Sequence, residues 1–322
     1  MRVGRRYGYN LVLYASPLLG HPEPYFKVAQ YVRELDPEIR PYVITYDRHL
    51  IRRIYRHVLK RFVLPRRRTL IFSPAATDIR LWRGTLYKGQ RLDKSLQYAA
   101  LERRSIPVPP WALLTRDRQP DLSGFGSYVV VKPDRGGLGA EVKIMRRGRV
   151  RWRQITTNYA GVSEGLIVQA FIYTGPRPVS YRISTLFGQA LYCVRYEASH
   201  ARPALAGSGA FDRSLDGKGV NIVSTSKGCT IALDYEEEVI RFAERAHEAF
   251  PETPVLGVDV IREQPSGKLY VLEVNPGGAG WHFAHERGLR AQHEFGFSYE
   301  QQFDGLRKAA RILADRTRTD AC

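Results

Sequence analysis

The stretch Val271-Leu-Glu-Val-Asn-Pro-Gly-Gly278 reads as an apolar strand stopped abruptly by a proline and two glycines. Residues two apart on a strand face the same way, so Glu273 and Asn275 project together from one side of it. A second acid, Asp259, lies in the apolar run Leu256-Gly-Val-Asp-Val-Ile261. Gln264-Pro-Ser-Gly267 joins the two runs as an expected antiparallel pair. If the strands lie side by side, three oxygen ligands converge: Asp259, Glu273 and Asn275. Such a cluster suits Mg²⁺, which keeps waters and completes its shell with substrate phosphates. The stretch therefore points to a nucleotide-dependent site.

Upstream, Val129-Val-Val-Lys-Pro-Asp-Arg-Gly-Gly-Leu-Gly-Ala-Glu-Val142 places a Gly-rich loop between two strands. Glycines let backbone N–H groups approach and cradle phosphate. The chain returns as a strand and not as a helix, which excludes a Rossmann fingerprint or a Walker loop. Lys132, at the end of the apolar strand beside this loop, suits a nucleotide phosphate. Gln169-Ala-Phe-Ile172 follows on another strand, whose backbone could hold an adenine edge. Residues 181–187 and 189–196 form a hairpin across Gly188 that carries Arg182 and Arg195. Guanidinium groups are what a transferring phosphoryl group needs.

The N-terminal third shows β-α-β order: a strand at 11–14, a helix at 24–35 and a strand at 42–46, which predicts a small parallel sheet. Strands are also expected at 69–72, 79–82, 140–145 and 150–155, and helices at 93–104, 235–250 and 299–313. From Arg48 to Arg68 there are nine Lys or Arg and no acid, with Ile51, Ile54, Tyr55, Val58 and Phe62 at helical spacing. This is a basic amphipathic helix. Its Arg52, Arg53 and Arg56 suit packing on the surface, an anionic membrane face or a polyanionic substrate.

At 322 residues the chain is long enough for two or three subdomains, and its 43% hydrophobic content is ordinary. A net charge of +18 is not, and it predicts attraction to anionic partners. Three scattered cysteines (Cys193, Cys229, Cys322) form neither a disulfide framework nor a Cys-x-x-Cys metal site. No signal-peptide core or membrane span is evident. The expectation is a cytoplasmic protein, at most peripheral on the inner membrane face. Its oligomeric state is left open.

Lysine, Gly loop, Gln-Ala-Phe-Ile, arginine hairpin, Asn221, Gly-Val-Asp and Glu-Val-Asn-Pro stand in an order that resembles the ATP-grasp superfamily. The likeness is to its branch of ribosomal-protein glutamate ligases and amino-acid ligases, and it runs over residues 91 to 285. It begins at Asp93-Lys94-Ser95-Leu96 and Ile106-Pro-Val-Pro109. The resemblance implies an α+β ATP-grasp fold, two subdomains sandwiching ATP behind a small parallel-sheet domain, divided as 1–90, 91–172 and 173–322. It implies that Lys94 and Lys132 bind phosphates, that Gly136, Gly137 and Gly139 close over them, and that Gln169, Phe171 and Ile172 meet adenine. Ser180 stands where related ligases often carry an acid on the ribose. Asp259, Glu273 and Asn275 would hold two Mg²⁺, with Mn²⁺ as a substitute, and Arg182, Arg195 and Asn221 would contact the γ-phosphate and an acyl phosphate.

The implied reaction is ATP-dependent carboxylate–amine ligation, with the basic charge favouring an acidic peptide or small-molecule acceptor. Two alternatives stay open: an ATP-grasp kinase acting on a hydroxyl, and a basic nucleic-acid or membrane-binding protein with a vestigial ATP site. The run Ala279-Gly-Trp-His-Phe-Ala-His285 differs from the Ser-Pro-Gly type usual in the glutamate ligases, so acceptor contacts are expected there. His282 and His285 are candidate acceptors of the amine proton, with packing as their other reading.

Overall fold

The computed structural model describes residues 8–16, 19–45, 67–77, 84–137, 141–157, 161–201, 228–283 and 285–322. The expected basic helix with Arg52, Arg53 and Arg56, the strand at 79–82, Gly139 and Asn221 lie outside the described residues.

A parallel sheet opens the chain, in the order β2-β1-β3-β4, from β1 (Tyr9–Ala15), β2 (Ile39–Thr45), β3 (Arg68–Ser73) and β4 (Thr85–Lys88). Helix α1 (Glu23–Leu35) covers it with Tyr25, Val28, Ala29 and Val32, the i, i+3, i+4, i+7 stripe that a helix buries. Strand β4 has only four residues and no fully buried side chain, so its sequence carries little strand signal.

A second sheet, ordered β5-β10-β6-β7, is antiparallel: β5 (Trp111–Leu114), β6 (Tyr128–Pro133), β7 (Lys143–Arg146) and β10 (Leu166–Ala170). A small hairpin of β8 (Ile155–Thr157) and β9 (Gly161–Ser163) lies beside it. Residues 150–154, expected as a strand, are irregular. There Arg151 Nη1 donates to the carbonyls of Gly148 and Val150, which satisfies the backbone locally instead of in a ladder.

The third sheet, β13-β12-β11-β14-β15, consists of β11 (Val179–Leu186), β12 (Gln189–Ala198), β13 (Cys229–Leu233), β14 (Val255–Arg262) and β15 (Leu269–Asn275). Helix α2 (Lys94–Arg103) and α3 (Glu237–His247) pack on one face through Tyr98, Leu101, Val239, Phe242 and Ala246, against Ile183, Leu256, Val258 and Val271. The other face meets the N-terminal sheet and α6 (Gly305–Asp320) in one continuous core that contains Leu11, Phe72, Tyr192, Trp281 and Leu313. Fully burying such a side chain stabilises the fold by about 1.5–3 kcal/mol. The closing helix expected at 299–313 is two helices, α5 (Tyr299–Gln302) and α6, with α4 (Glu286–Phe295) before them. Asp304, between α5 and α6, takes a left-handed φ of 50° that helical geometry excludes. Among the described residues no helix is long and apolar enough to cross a membrane.

Candidate active site

The strands carrying the acids are neighbours. Pairing of β14 with β15 sets Asp259 opposite Glu273 and Gly257 opposite Asn275, so all three candidate ligands share one face. Beyond that pair the register shifts: Asp259 pairs with Glu273 but Val260 with Val271, leaving Leu272 as an extra residue. The bulge releases the Leu272 carbonyl from the ladder. Two side chains use it, Tyr98 Oη donating at 2.8 Å and Lys132 Nζ at 3.2 Å.

Helix α2 positions the cations. Lys94, Gln97, Tyr98 and Leu101 form its buried stripe. Gln97 Oε1 accepts from the Val274 N–H at 3.3 Å, so Gln97 and Tyr98 together pin the backbone of β15. Lys94 donates to the Gly136 carbonyl at 2.7 Å and lies 3.6 Å from Glu273. A lysine on the first turn of a helix opposes the helix dipole, which is consistent with a role in binding an anion. The loop after β6 docks on the same helix end. Asp134 accepts from the Ser95 N–H at 2.8 Å and from its hydroxyl at 2.9 Å, and Arg135 pairs with Asp93 at 2.9 Å. These contacts place Gly136 and Gly137 beside Lys94. Asp134, Gln97 and Tyr98 belong to no chemical motif of the sequence, although Lys94, Gln97, Tyr98 and Leu101 at i, i+3, i+4 and i+7 mark one helix face.

Lys132 is 3% exposed. Burial pushes its pKa down to about 8; Glu273 and Asp259 oppose that shift, while Lys94 adds to it. The ammonium thus stays mainly charged near neutrality. Lys132 and Gln169 share a face of the second sheet, since Lys132 pairs with Ile167 and Val130 with Gln169. Gln169 is fully buried, with the Tyr98 hydroxyl as a polar neighbour. Phe171 packs on Tyr128, Val130 and Ile144 where the strand ends, and Ile172 follows half-buried.

The two hairpin arginines part company. Arg182 pairs in register with Asp259 on one side and Val194 on the other, which puts it on the acid face, with buried Ser180 two residues before it. Its Nε and Nη2 donate to Asp259 Oδ1 and Oδ2 at 2.6 and 2.7 Å. Burial works against its charge, but Asp259 outweighs this and holds the guanidinium firmly protonated. Arg195 pairs with Tyr181, whose other partner is Val260, so it projects from the opposite face. There it bridges to Glu197 at 2.7 Å. The structure does not bring Arg195 to the acids: an odd register step sends it to the other side of the sheet.

The run after β15 is packing for most of its length. Trp281 is fully buried against Tyr25, Phe72 and Phe283, joining the N-terminal sheet to the third sheet. Its glycines permit close approach: a Cβ on Gly278, at φ +98°, would stand 2.9 Å from the Pro74 carbonyl, and one on Gly280 would stand 2.8 Å from Gly257 N. His282 is buried beside Tyr192 and Tyr299. Burial, then Arg182, His285 and Arg287, hold its pKa well below the usual range, so the ring is neutral. His285 caps α4, its Nδ1 accepting from the Arg287 N–H at 3.2 Å. Arginines following the second sheet's β7 are also tied to the protein itself, with Arg147 on the Leu122 carbonyl at 3.3 Å and Arg153 on Glu141 at 2.8 Å.

Two antiparallel sheets thus face each other across a cluster of lysines, an arginine and paired acids. A family model described as an ATP-grasp domain matches residues 92–279. The chain belongs to the ATP-grasp family. Its fold is similar to that of D-cycloserine synthetase DcsG, at 16% identity and TM-score 0.52, over 96% of this chain and 99% of that one. It is also similar to D-alanine–D-alanine ligase from Bacillus anthracis, at 14% identity, TM-score 0.48, and 96% and 99% coverage. ATP-grasp ligase PsnB, complexed with minimal precursor, Mg and ADP, is similar at 14% identity and TM-score 0.49, over 95% and 98% of the two chains. At 16% identity the likeness to D-cycloserine synthetase DcsG speaks to the fold alone. No curated protein sequence matches the chain.

The donor set fits the metal that such a fold uses. Asp259 and Glu273 face each other in register, and Asn275 reaches Asp259 at 3.2 Å, giving two carboxylates and an amide of the hard-oxygen type that Mg²⁺ prefers. Among the described residues, no cluster of three or more His, Cys, Asp or Glu offers a rival metal site.

Proposed function

We propose that this protein is an ATP-dependent carboxylate–amine ligase that forms an amide or peptide bond through an acyl phosphate. The observation that carries this reading is the convergence of Lys94, Lys132 and Arg182 on the Asp259–Glu273–Asn275 strand ends, between two antiparallel sheets. Asp259, Glu273 and Asn275 would hold Mg²⁺, which when bound neutralises phosphate charge. Lys94 and Lys132, with Gly136 and Gly137, bind the nucleotide phosphates. Gln169, Phe171 and Ile172 line the adenine side, with Ser180 toward the ribose. Arg182 faces the transferring phosphoryl group, where a fixed cation lowers the barrier. The acceptor carboxylate attacks the γ-phosphorus and ADP leaves. An amine then forms the C–N bond as orthophosphate departs and the nitrogen gives up a proton. Positioning and charge do most of this work, so no dedicated nucleophile is needed.

The net charge of +18 favours an acidic acceptor, a peptide or small molecule. Reversing Arg52, Arg53 and Arg56 to Glu should raise KM for it, and an unchanged KM would remove those arginines from acceptor capture. The decisive test measures ADP and orthophosphate release across a library of carboxylate–amine pairs, with Glu273→Gln as the blank. Silence with every pair would sink ligation. Phosphoryl transfer to a hydroxyl without orthophosphate release would identify a kinase instead.

A further inference from the structure

Each candidate metal-binding acid is already matched by a cation of the chain itself. Both oxygens of Asp259 are taken: Oδ1 by Arg182 Nε at 2.6 Å, and Oδ2 by Arg182 Nη2 at 2.7 Å and Asn275 Nδ2 at 3.2 Å. Glu273 has the Lys94 ammonium at 3.6 Å. The Arg182 and Asp259 side chains are 23% and 16% exposed, so solvent screens their bidentate pair poorly. They are cross-strand neighbours in register, so the guanidinium can leave Asp259 by turning its own side chain while the sheet stays put.

We propose that Arg182 makes metal and nucleotide binding mutually dependent, by closing Asp259 to a cation until an anionic phosphate draws the guanidinium away. This rests on reading the cleft as a nucleotide site. A divalent cation arriving alone meets a carboxylate with both oxygens engaged, in a cluster where Arg182, Lys94 and Lys132 outnumber Asp259 and Glu273. A phosphate chain arriving alone must strip cations from two half-buried acids and leave them unpaired beside its own negative charge, which is unfavourable. When both arrive together the partners exchange. The acids turn to the cation, Arg182 and Lys94 turn to phosphate oxygens, and no charge is left without a partner. The coupling is reciprocal: whatever factor nucleotide adds to metal affinity, metal adds to nucleotide affinity.

Mn²⁺ is the probe, with its binding followed by electron paramagnetic resonance and ADP binding by calorimetry at zero and saturating Mn²⁺. In wild-type protein, ADP should bind about tenfold or more tightly with Mn²⁺ present, within the range typical of coupled sites. In Arg182→Met without nucleotide, Mn²⁺ should bind several-fold more tightly than in wild type, and the coupling factor should fall toward one. Mn²⁺ alone should raise the Tm of Arg182→Met more than that of wild type, a signature that loss of a merely structural contact would not produce. If Arg182→Met does not fold, Arg182→Lys keeps the charge without the two-pronged grip and should still bind Mn²⁺ more tightly than wild type without nucleotide. The proposal is overturned if Mn²⁺ binds Arg182→Met no better than wild type without nucleotide, or if wild-type ADP affinity ignores Mn²⁺. The underlying site reading fails separately, if ADP does not bind wild type under any condition or if Asp259→Asn leaves Mn²⁺ and ADP affinities intact.

Discussion

Alternate residues of β11 and β14 look into two different worlds. On one face Arg182, Asp259 and, from β15, Glu273 and Asn275 form a charged cleft. On the other, Ile183, Val258 and Val260 pack with α2 and α3 in a dry core. The same contrast separates the arginines, Arg182 gripping Asp259 and Arg195 resting on Glu197 across the sheet. One residue of offset decides whether a side chain joins the acid face or the opposite one, because the strand period is two. The buried histidines show it again. His247, on α3, has Thr185 Oγ1 at 2.6 Å from Nδ1 and the Thr253 carbonyl at 2.9 Å from Nε2, so both ring nitrogens are engaged in packing. His282 lies on the cleft side, near Arg182.

The contrast breaks most sharply at the acids. Glu273→Gln should cut ADP release by roughly a thousandfold, with Tm little changed, as expected for loss of a group that acts on transition-state charge. Next, Arg182→Met should reduce turnover by about a hundredfold or more; a loss under threefold would remove Arg182 from the chemistry. The opposite face should answer in stability. Leu256→Ala, fully buried in the α2–α3 core, should cost about 2–5 kcal/mol by chemical denaturation while kcat stays level.

His247 supplies a pH test of that face. Burial lowers its pKa to about 4 from an ordinary 6.5, so the unfolded chain takes up a proton there before the folded protein does. Its contribution to stability is intact above pH 6.5 and falls by roughly 3 kcal/mol as pH drops to 4. Denaturation midpoints in wild type and His247→Gln should converge over that window, and parallel curves would exclude His247 as the source. The smallest effect belongs to Arg195→Met. Its half-exposed pair with Glu197 is worth about 0–1 kcal/mol, and turnover should stay within about twofold. A large loss of turnover would return Arg195 to the site.

Most of the cleft could be read from local pattern. The apolar runs around Asp259 and Glu273, the strand that carries Lys132 and the helix beginning at Lys94 stand where their residue types predict. What escaped were short elements with weak patterns, such as β4 and β5, and contacts made across the chain. Tyr98 and Gln97 hold β15 from 174 and 177 residues away, and no local window contains both partners. The run expected to hold acceptor contacts turned out to seat Trp281 in the core against Tyr25 and Phe72.

By itself the sequence determined that strands bearing Asp259, Glu273 and Asn275 exist and that Glu273 and Asn275 face one way, because alternation and turn chemistry act over a few residues. Only the tertiary structure decided which arginine meets those acids, that a bulge at Leu272 frees a carbonyl for Lys132, and that each acid is already paired with a cation. Those outcomes depend on the register between strands and on the packing of helices far apart in the chain, where a shift of one residue reverses the answer.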